Sequence, residues 1–110
     1  MEYLFNSRGR HIANLVNGQL HAPTGQNIGH YSEDQGVFID MSGHYLGEIV
    51  HGNRLMYNRT SSHRAINYGR YGNYGNAGNY GNPGNCGSIG IVGGYEDVVT
   101  PWIRDLSENT

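Results

Sequence analysis

Six histidines (His11, His21, His30, His44, His51 and His63), one cysteine and nine acidic residues are the groups of this chain that bind metals or move protons. Their spacing argues against both roles. Neither H-x-x-x-H nor H-E-x-x-H occurs, so no helix turn sets two imidazoles on one face, and Cys86 is remote from the histidines. A zinc site would have to be assembled across strands or subunits, and no metal or other cofactor is expected. Asp40, Glu48, His30 and His44 can share a strand face. That set is the material for acid–base chemistry in a small enzyme whose site is shared between subunits. The more ordinary reading is the polar exterior of a half-exposed sheet. Ser7 and Ser42 each precede a turn glycine and no G-x-S-x-G elbow is present, so no nucleophile stands out. Cys86 has no Lys, Arg or His beside it to lower its pKa and reads as a packed thiol. No catalytic residue is assigned.

One constellation has the residue types for binding: Tyr71, Tyr74 and Tyr80 with Arg70, preceded by Tyr68 and Arg64. Aromatic rings interleaved with arginine can stack sugars or single-stranded nucleic acid. The competing role for the same rings is to pack their segment onto the rest of the protein. Nucleic acid is disfavoured as a partner, because the seven basic residues leave a net charge of -2.

The elements that must hold these residues come from a repeat. Superposing the chain on Gly9, Gly25 and Gly43 aligns Leu4, Leu20 and Phe38 five places earlier and Ile12, Ile28 and Leu46 three places later. Small residues follow at Ala13, Gly29 and Gly47, then Leu15, Tyr31 and Ile49. The two apolar sets after the glycine are expected to be buried at equivalent positions. A fourth half-copy starts at Leu55 and is lost after Thr60. Period-two alternation in Ile12-Asn14-Val16 and Leu46-Glu48-Val50 reads as strands with one buried face. Gly9, Gly25 and Gly43 are then structural turns, and Asn17-Gly18, Asp34-Gln35-Gly36 and His51-Gly52-Asn53 connect successive hairpins. Strands are predicted at 3–6, 11–16, 19–22, 28–32, 37–40, 45–50 and 54–58. The fold class is all-β, with antiparallel hairpin repeats in a rosette or barrel-like arrangement. A small residue in mid-strand points either to close approach of the next strand or to a β-bulge.

From Gly69 to Gly93 every third residue is glycine, and Asn73, Asn76, Asn79, Asn82 and Asn85 each follow one. Period three fits polyproline II, while repeated Gly-Asn pairs fit a string of turns. Straight, such a segment would far exceed the size of a compact chain of this length, so it must project, fold back or cover another subunit. Beyond it, Thr100 and Pro101 ahead of Trp102, Ile103 and Leu106 predict one short C-terminal helix, with Trp102 as a plug. The organisation is a single structural domain made of a hairpin body (1–64), a Gly-Asn triplet segment (65–95) and a tail (96–110).

The 110 residues include 18 glycines, with 36% hydrophobic and 15% charged residues. Both fractions fall below the globular norm, yet the small net charge argues for a folded glycine-rich domain over a disordered one. Residues 1–12 lack the apolar run of a signal peptide, no stretch suits a membrane span, and a lone Cys86 forms no intrachain disulfide. The expected location is the cytoplasm.

Tyr3-Leu4-Phe5-Asn6, Ser42-Gly43-His44-Tyr45-Leu46-Gly47 and the run from Tyr71-Gly72-Asn73 to Gly93-Gly94-Tyr95 together resemble the four-fold beta-flower proteins. The resemblance covers most of the chain. It implies a β-rich rosette with four-fold character and brings no assigned reaction. Two function classes follow: a non-enzymatic structural, assembly or binding module of unknown ligand, a glycan among the candidates, or the shared-site enzyme above. A thin apolar core predicts self-association into a closed homo-oligomer, a tetramer being favoured, with the triplet segment over the interface.

Overall fold

The computed structural model describes residues 1–73, 75 and 80–103. Its strands are β1 (Glu2–Phe5), β2 (His11–Val16), β3 (Gln19–His21), β4 (Asn27–Ser32), β5 (Val37–Asp40), β6 (Tyr45–Val50), β7 (Arg54–Asn58) and β8 (Tyr95–Asp97). Each strand pairs antiparallel with the next, and β1 also meets β7 in parallel at Phe5↔Arg54, closing the first seven into a barrel. The parallel seam follows from the odd strand number, since direction alternates around the ring and the first and seventh strands point the same way. The protein is therefore all-β, and the predicted seven strands lie within a residue of their expected places. The eighth strand was not foreseen. It pairs with β7 through Met56↔Asp97, Tyr57↔Glu96 and Asn58↔Tyr95, which completes a fourth hairpin interrupted by residues 59–94.

The repeat has a geometric meaning. In the first three hairpins a large residue faces a small one: Leu4↔Ala13, Leu20↔Gly29 and Phe38↔Gly47. Immediately beside each pair the register slips by one, leaving Ile12, Ile28 and Leu46 as the extra residue of a β-bulge. A bulge breaks strict alternation, which is how Ile12 and Ala13, adjacent in sequence, are both buried. Close approach operates as well: a Cβ on Gly29 would lie 2.5 Å from the Ile39 carbonyl oxygen, and one on Gly47 2.7 Å from that of Met56. Both explanations offered for the small residues are thus correct together. Of the six repeat-equivalent positions, Ile12 and Ile28 are buried, and Leu46, Leu15 and Ile49 are partly buried against the core. Tyr31 departs from the expectation, being 39% exposed with its ring 5.1 Å from that of Phe38.

At one end of the barrel the three turns share a hydrogen-bond frame. Asn6, Ala22 and Asp40 each donate their N–H to the carbonyl four residues on and accept from the turn glycine, Gly9, Gly25 or Gly43. All three glycines have positive φ, as the turn chemistry predicts. At the opposite end Asn17-Gly18 is a left-handed pair, the usual two-residue connector for twisted strands, and His51-Gly52, also left-handed, opens the three-residue connector 51–53 between Val50 and Arg54.

The described part of the triplet segment is not a continuous polyproline II helix. Gly69, Gly75, Gly81, Gly84 and Gly90 have φ between 74° and 88°, whereas polyproline II holds φ near −75° throughout. Asn67, Asn73 and Asn82 side chains each accept the N–H of the glycine two residues on, so the asparagines shape the chain locally. Its contacts meet the hairpins in reverse order. The Tyr68 amide bonds Gly43 O and the Tyr71 amide Met41 O at the third turn. The Tyr71 ring lies on His30 of the second hairpin, and Tyr80 O accepts the Tyr3 hydroxyl of the first. Cys86 and Ile89 then bond Gly9 O and Ser7 O. Tyr68 covers Val37, Ile39 and Tyr45, a second apolar cluster on the side of β5 away from Phe38. The segment is thus a strap on the outside of its own barrel.

Arg54, only 7% exposed, fastens the seam by donating to the carbonyls of Asn6 and Ser7, and Asp97 of β8 holds Ser7 through its N–H and hydroxyl. A 3-10 turn at Ser62–Ala65 starts the strap. Where a helix was predicted at the C-terminus, residues 100–103 form a turn closed by Ile103 N to Thr100 O, and Leu106 lies outside the described residues. Among the described residues no helix is long and apolar enough to cross a membrane.

Candidate functional site

The turn end of the barrel is an open mouth of about 620 Å³. The second and third turns supply its polar rim through Gln26, Asn27, Asp40 and Ser42, while Tyr45, Tyr57 and Trp102 form aromatic wall. Each wall residue has a reason to be there. Tyr45 follows the third turn, and its buried hydroxyl donates to Glu48 Oε2 (2.6 Å) and accepts the Asn58 amide (3.0 Å). Burial, and then the adjoining Glu48 carboxylate, push the Tyr45 phenol far above its usual range, so it stays a neutral donor. Tyr95 is raised for the same reasons, burial first. Tyr57 packs on Tyr45 with ring centres 5.1 Å apart. Trp102 reaches back over the mouth and donates its indole N–H to Ile12 O at 2.8 Å, which uses the carbonyl of a bulge residue. The expected plug is therefore a wall of the cavity as well.

Among the described residues, Asp40 is the charged residue of this lining. One carboxylate oxygen, Oδ1, accepts the Ser42 N–H, the Ser42 hydroxyl and the His44 N–H at 2.8–3.0 Å. Ser42 Oγ also lies 2.8 Å from His44 Nδ1. The serine sits between acid and imidazole, the reverse of a nucleophile triad, in which histidine must lie between to take the hydroxyl proton. The trio thus reads as turn scaffolding.

The other residues singled out from sequence are dispersed. Glu48 serves Tyr45 and Tyr95, while His30 stacks on Tyr71 with ring centres 3.5 Å apart and planes 12° apart. His30, Asp40 and Glu48 therefore belong to three separate networks. His21 bonds Gly25 O, His11 shares a hydrogen bond with Asn14, and His63 with the Tyr68 hydroxyl. Among the described residues no group of three or more His, Cys, Asp or Glu is placed to hold a metal ion. Tyr71 is half-buried, and its hydroxyl accepts the Gln19 amide at 3.0 Å. Tyr80 is 39% exposed and Arg70 is exposed, whereas Tyr74 lies outside the described residues. Tyr71 is thus engaged in packing. The mouth was not foreseen, because Asp40, Tyr57 and Trp102 are brought together only by closure of the ring. A signal did exist: Asp40 stands at the repeat position that holds Asn6 and Ala22.

A second, smaller cavity of about 280 Å³ opens toward the connector end. Leu15, Tyr31 and Ile49, equivalent in the repeat, line it together with Phe38.

Comparison of the chain with protein-family models, with curated proteins and with solved structures found no match.

Proposed function

We propose that this protein is a non-enzymatic binding module that takes a small ligand into the turn-end mouth of its barrel. The observation that carries this reading is the cavity of about 620 Å³ walled by Tyr45, Tyr57 and Trp102 and rimmed by polar turn residues. Concave sites with aromatic walls and few polar groups are the usual form of small-molecule sites. The dispersal of His30, Asp40 and Glu48 into separate networks supports binding over acid–base catalysis. Four hairpins in one chain support the kinship with the four-fold beta-flower proteins, and the lone Cys86 supports a reducing, cytoplasmic setting.

Trp102 is the sole tryptophan, so its fluorescence reports directly on the mouth. A screen of small glycans, amines and nucleotides should yield ligands that shift this emission and are recovered chemically unchanged. Ligands that leave Trp102 silent and perturb the strap tyrosines would move the site to Tyr71 and Tyr80. Turnover of a bound ligand would replace the module with an enzyme.

Self-association is a second reading, favoured by Ile91, wholly exposed, and Val99, 82% exposed. Light scattering should then give a mass above one chain, with a tetramer as the expected closed form, and Ile91→Asp should lower it. A monomer at high concentration would remove this reading.

A further inference from the structure

The three turns at the mouth separate what the fold requires from what it does not. Ala22 gives its turn backbone hydrogen bonds alone, with the His21 ring on Gly25 O, and Asn6 adds a side-chain oxygen that accepts the N–H of Arg8 and Arg10. Asp40 makes the same two bonds, to Ser42 and His44, through Oδ1. The turn therefore needs at most a neutral amide oxygen at this position. The turn's hydrogen bonds do not require the negative charge of Asp40, whose Oδ1 lies 4.0 Å from His44 Nδ1, and it stands on the rim of a cavity whose lining, among the described residues, holds no Lys or Arg. Among the described residues its hydrogen bonds fall on Oδ1, leaving Oδ2 with spare acceptor capacity.

Asn27, Ser42 and Tyr45, three of the other polar residues of the lining, are already committed, while the Gln26 amide stands exposed at the rim. The Asn27 amide donates to Leu20 O and Gly29 O, Ser42 Oγ to Asp40, and the Tyr45 hydroxyl to Glu48. A sugar needs several convergent donors and acceptors. An ammonium group needs one carboxylate and aromatic faces, whose quadrupoles attract cations and whose apolar bulk strengthens the charge interaction.

Resting on the mouth as the binding site, we infer that its ligand is an organic cation, with an ammonium group set between Asp40 and the rings of Trp102 and Tyr57. Its alkyl portion lies along the aromatic wall.

The test is titration of the full chain with n-butylammonium chloride, tetramethylammonium chloride and a neutral methyl glucoside, followed by Trp102 fluorescence at constant ionic strength. At least one ammonium salt should bind saturably. Asp40→Asn should weaken it tenfold or more while leaving the melting temperature in place, because asparagine at the equivalent Asn6 holds the same turn. Trp102→Leu, followed by calorimetry, should weaken it too, and serves if Asp40→Asn proves unstable. Equal ammonium affinity in wild type and Asp40→Asn overturns the inference. So does glucoside binding without ammonium binding, although the mouth then stands as a site. If none of the three probes perturbs Trp102 saturably, the cation inference fails; if the wider screen also leaves Trp102 silent, the mouth fails with it.

Discussion

Glycine recurs at regular intervals in both the barrel and the strap, yet it acts oppositely in the two. Apart from the open, positive-φ connector glycines Gly18 and Gly52, barrel glycines such as Gly29, Gly47, Gly9 and Gly43 are there for want of space. A Cβ on Gly29 would meet the Ile39 carbonyl at 2.5 Å, and one on Gly43 the Gly69 carbonyl at 2.4 Å. In the strap, Gly75, Gly81, Gly84 and Gly90 have nothing within 4 Å of where a Cβ would stand, and all four have positive φ. There glycine is used for backbone conformation alone. Composition cannot distinguish these roles, because the same residue answers a steric demand in one region and a torsional demand in the other.

The largest effect is expected where the barrel core is emptied. Phe38 is 1% exposed and faces Gly47, so Phe38→Ala leaves a hole that no side chain opposite can fill. Chemical denaturation should show a loss of about 3–5 kcal/mol, and a loss below 1 kcal/mol would mean that the barrel is not the stabilising unit.

Gly29→Ala comes next. It forces β4 and β5 apart, since the obstructing atom is backbone, at a cost of about 1–3 kcal/mol. An unchanged unfolding midpoint would show that the strands have slack.

The strap and turn glycines can be compared more closely. Gly9 and Gly84 have φ of 87° and 77°, so alanine at either costs about 1–2 kcal/mol of left-handed strain. Only Gly9 also abuts the strap, its would-be Cβ 1.7 Å from Cys86 O. Gly9→Ala should therefore release the Cys86 and Ile89 amides to hydrogen exchange, and Gly84→Ala should leave them protected. Identical exchange in the two variants would mean the strap is not held at the first turn.

The smallest effect is a pH dependence of strap docking. Burial lowers the His30 pKa from its ordinary 6.5, and its Nδ1 is buried without a hydrogen-bond partner against the Tyr71 ring. Gln19, across the strand pair, and Tyr71 are polar groups packed on it, and among the described residues no ion pair faces it. With a folded pKa below the unfolded one, the stabilisation is whole above pH 6.5 and is lost as pH falls through the folded pKa. Melting temperature should drop over that window in wild type and less in His30→Gln. Equal pH profiles would relieve His30 of this role.

What could be read in the sequence was local. Three glycine-centred hairpins and their connectors were legible because turn chemistry acts over four or five residues and fixes register at short range. The pairing of small with large residues was visible as a repeat, although its bulges at Ile12, Ile28 and Leu46 were not. The tertiary structure decided everything that joins distant residues. β8 returns to β7 across residues 59–94, where Thr60 in place of a turn glycine had made the fourth copy look abandoned. The lap of the strap, the Arg54 seam and the meeting of Asp40 with Tyr57 and Trp102 likewise depend on closure of the ring. Such contacts carry no periodic signal, since their partners are selected by the shape of the assembled barrel and not by neighbours in the chain.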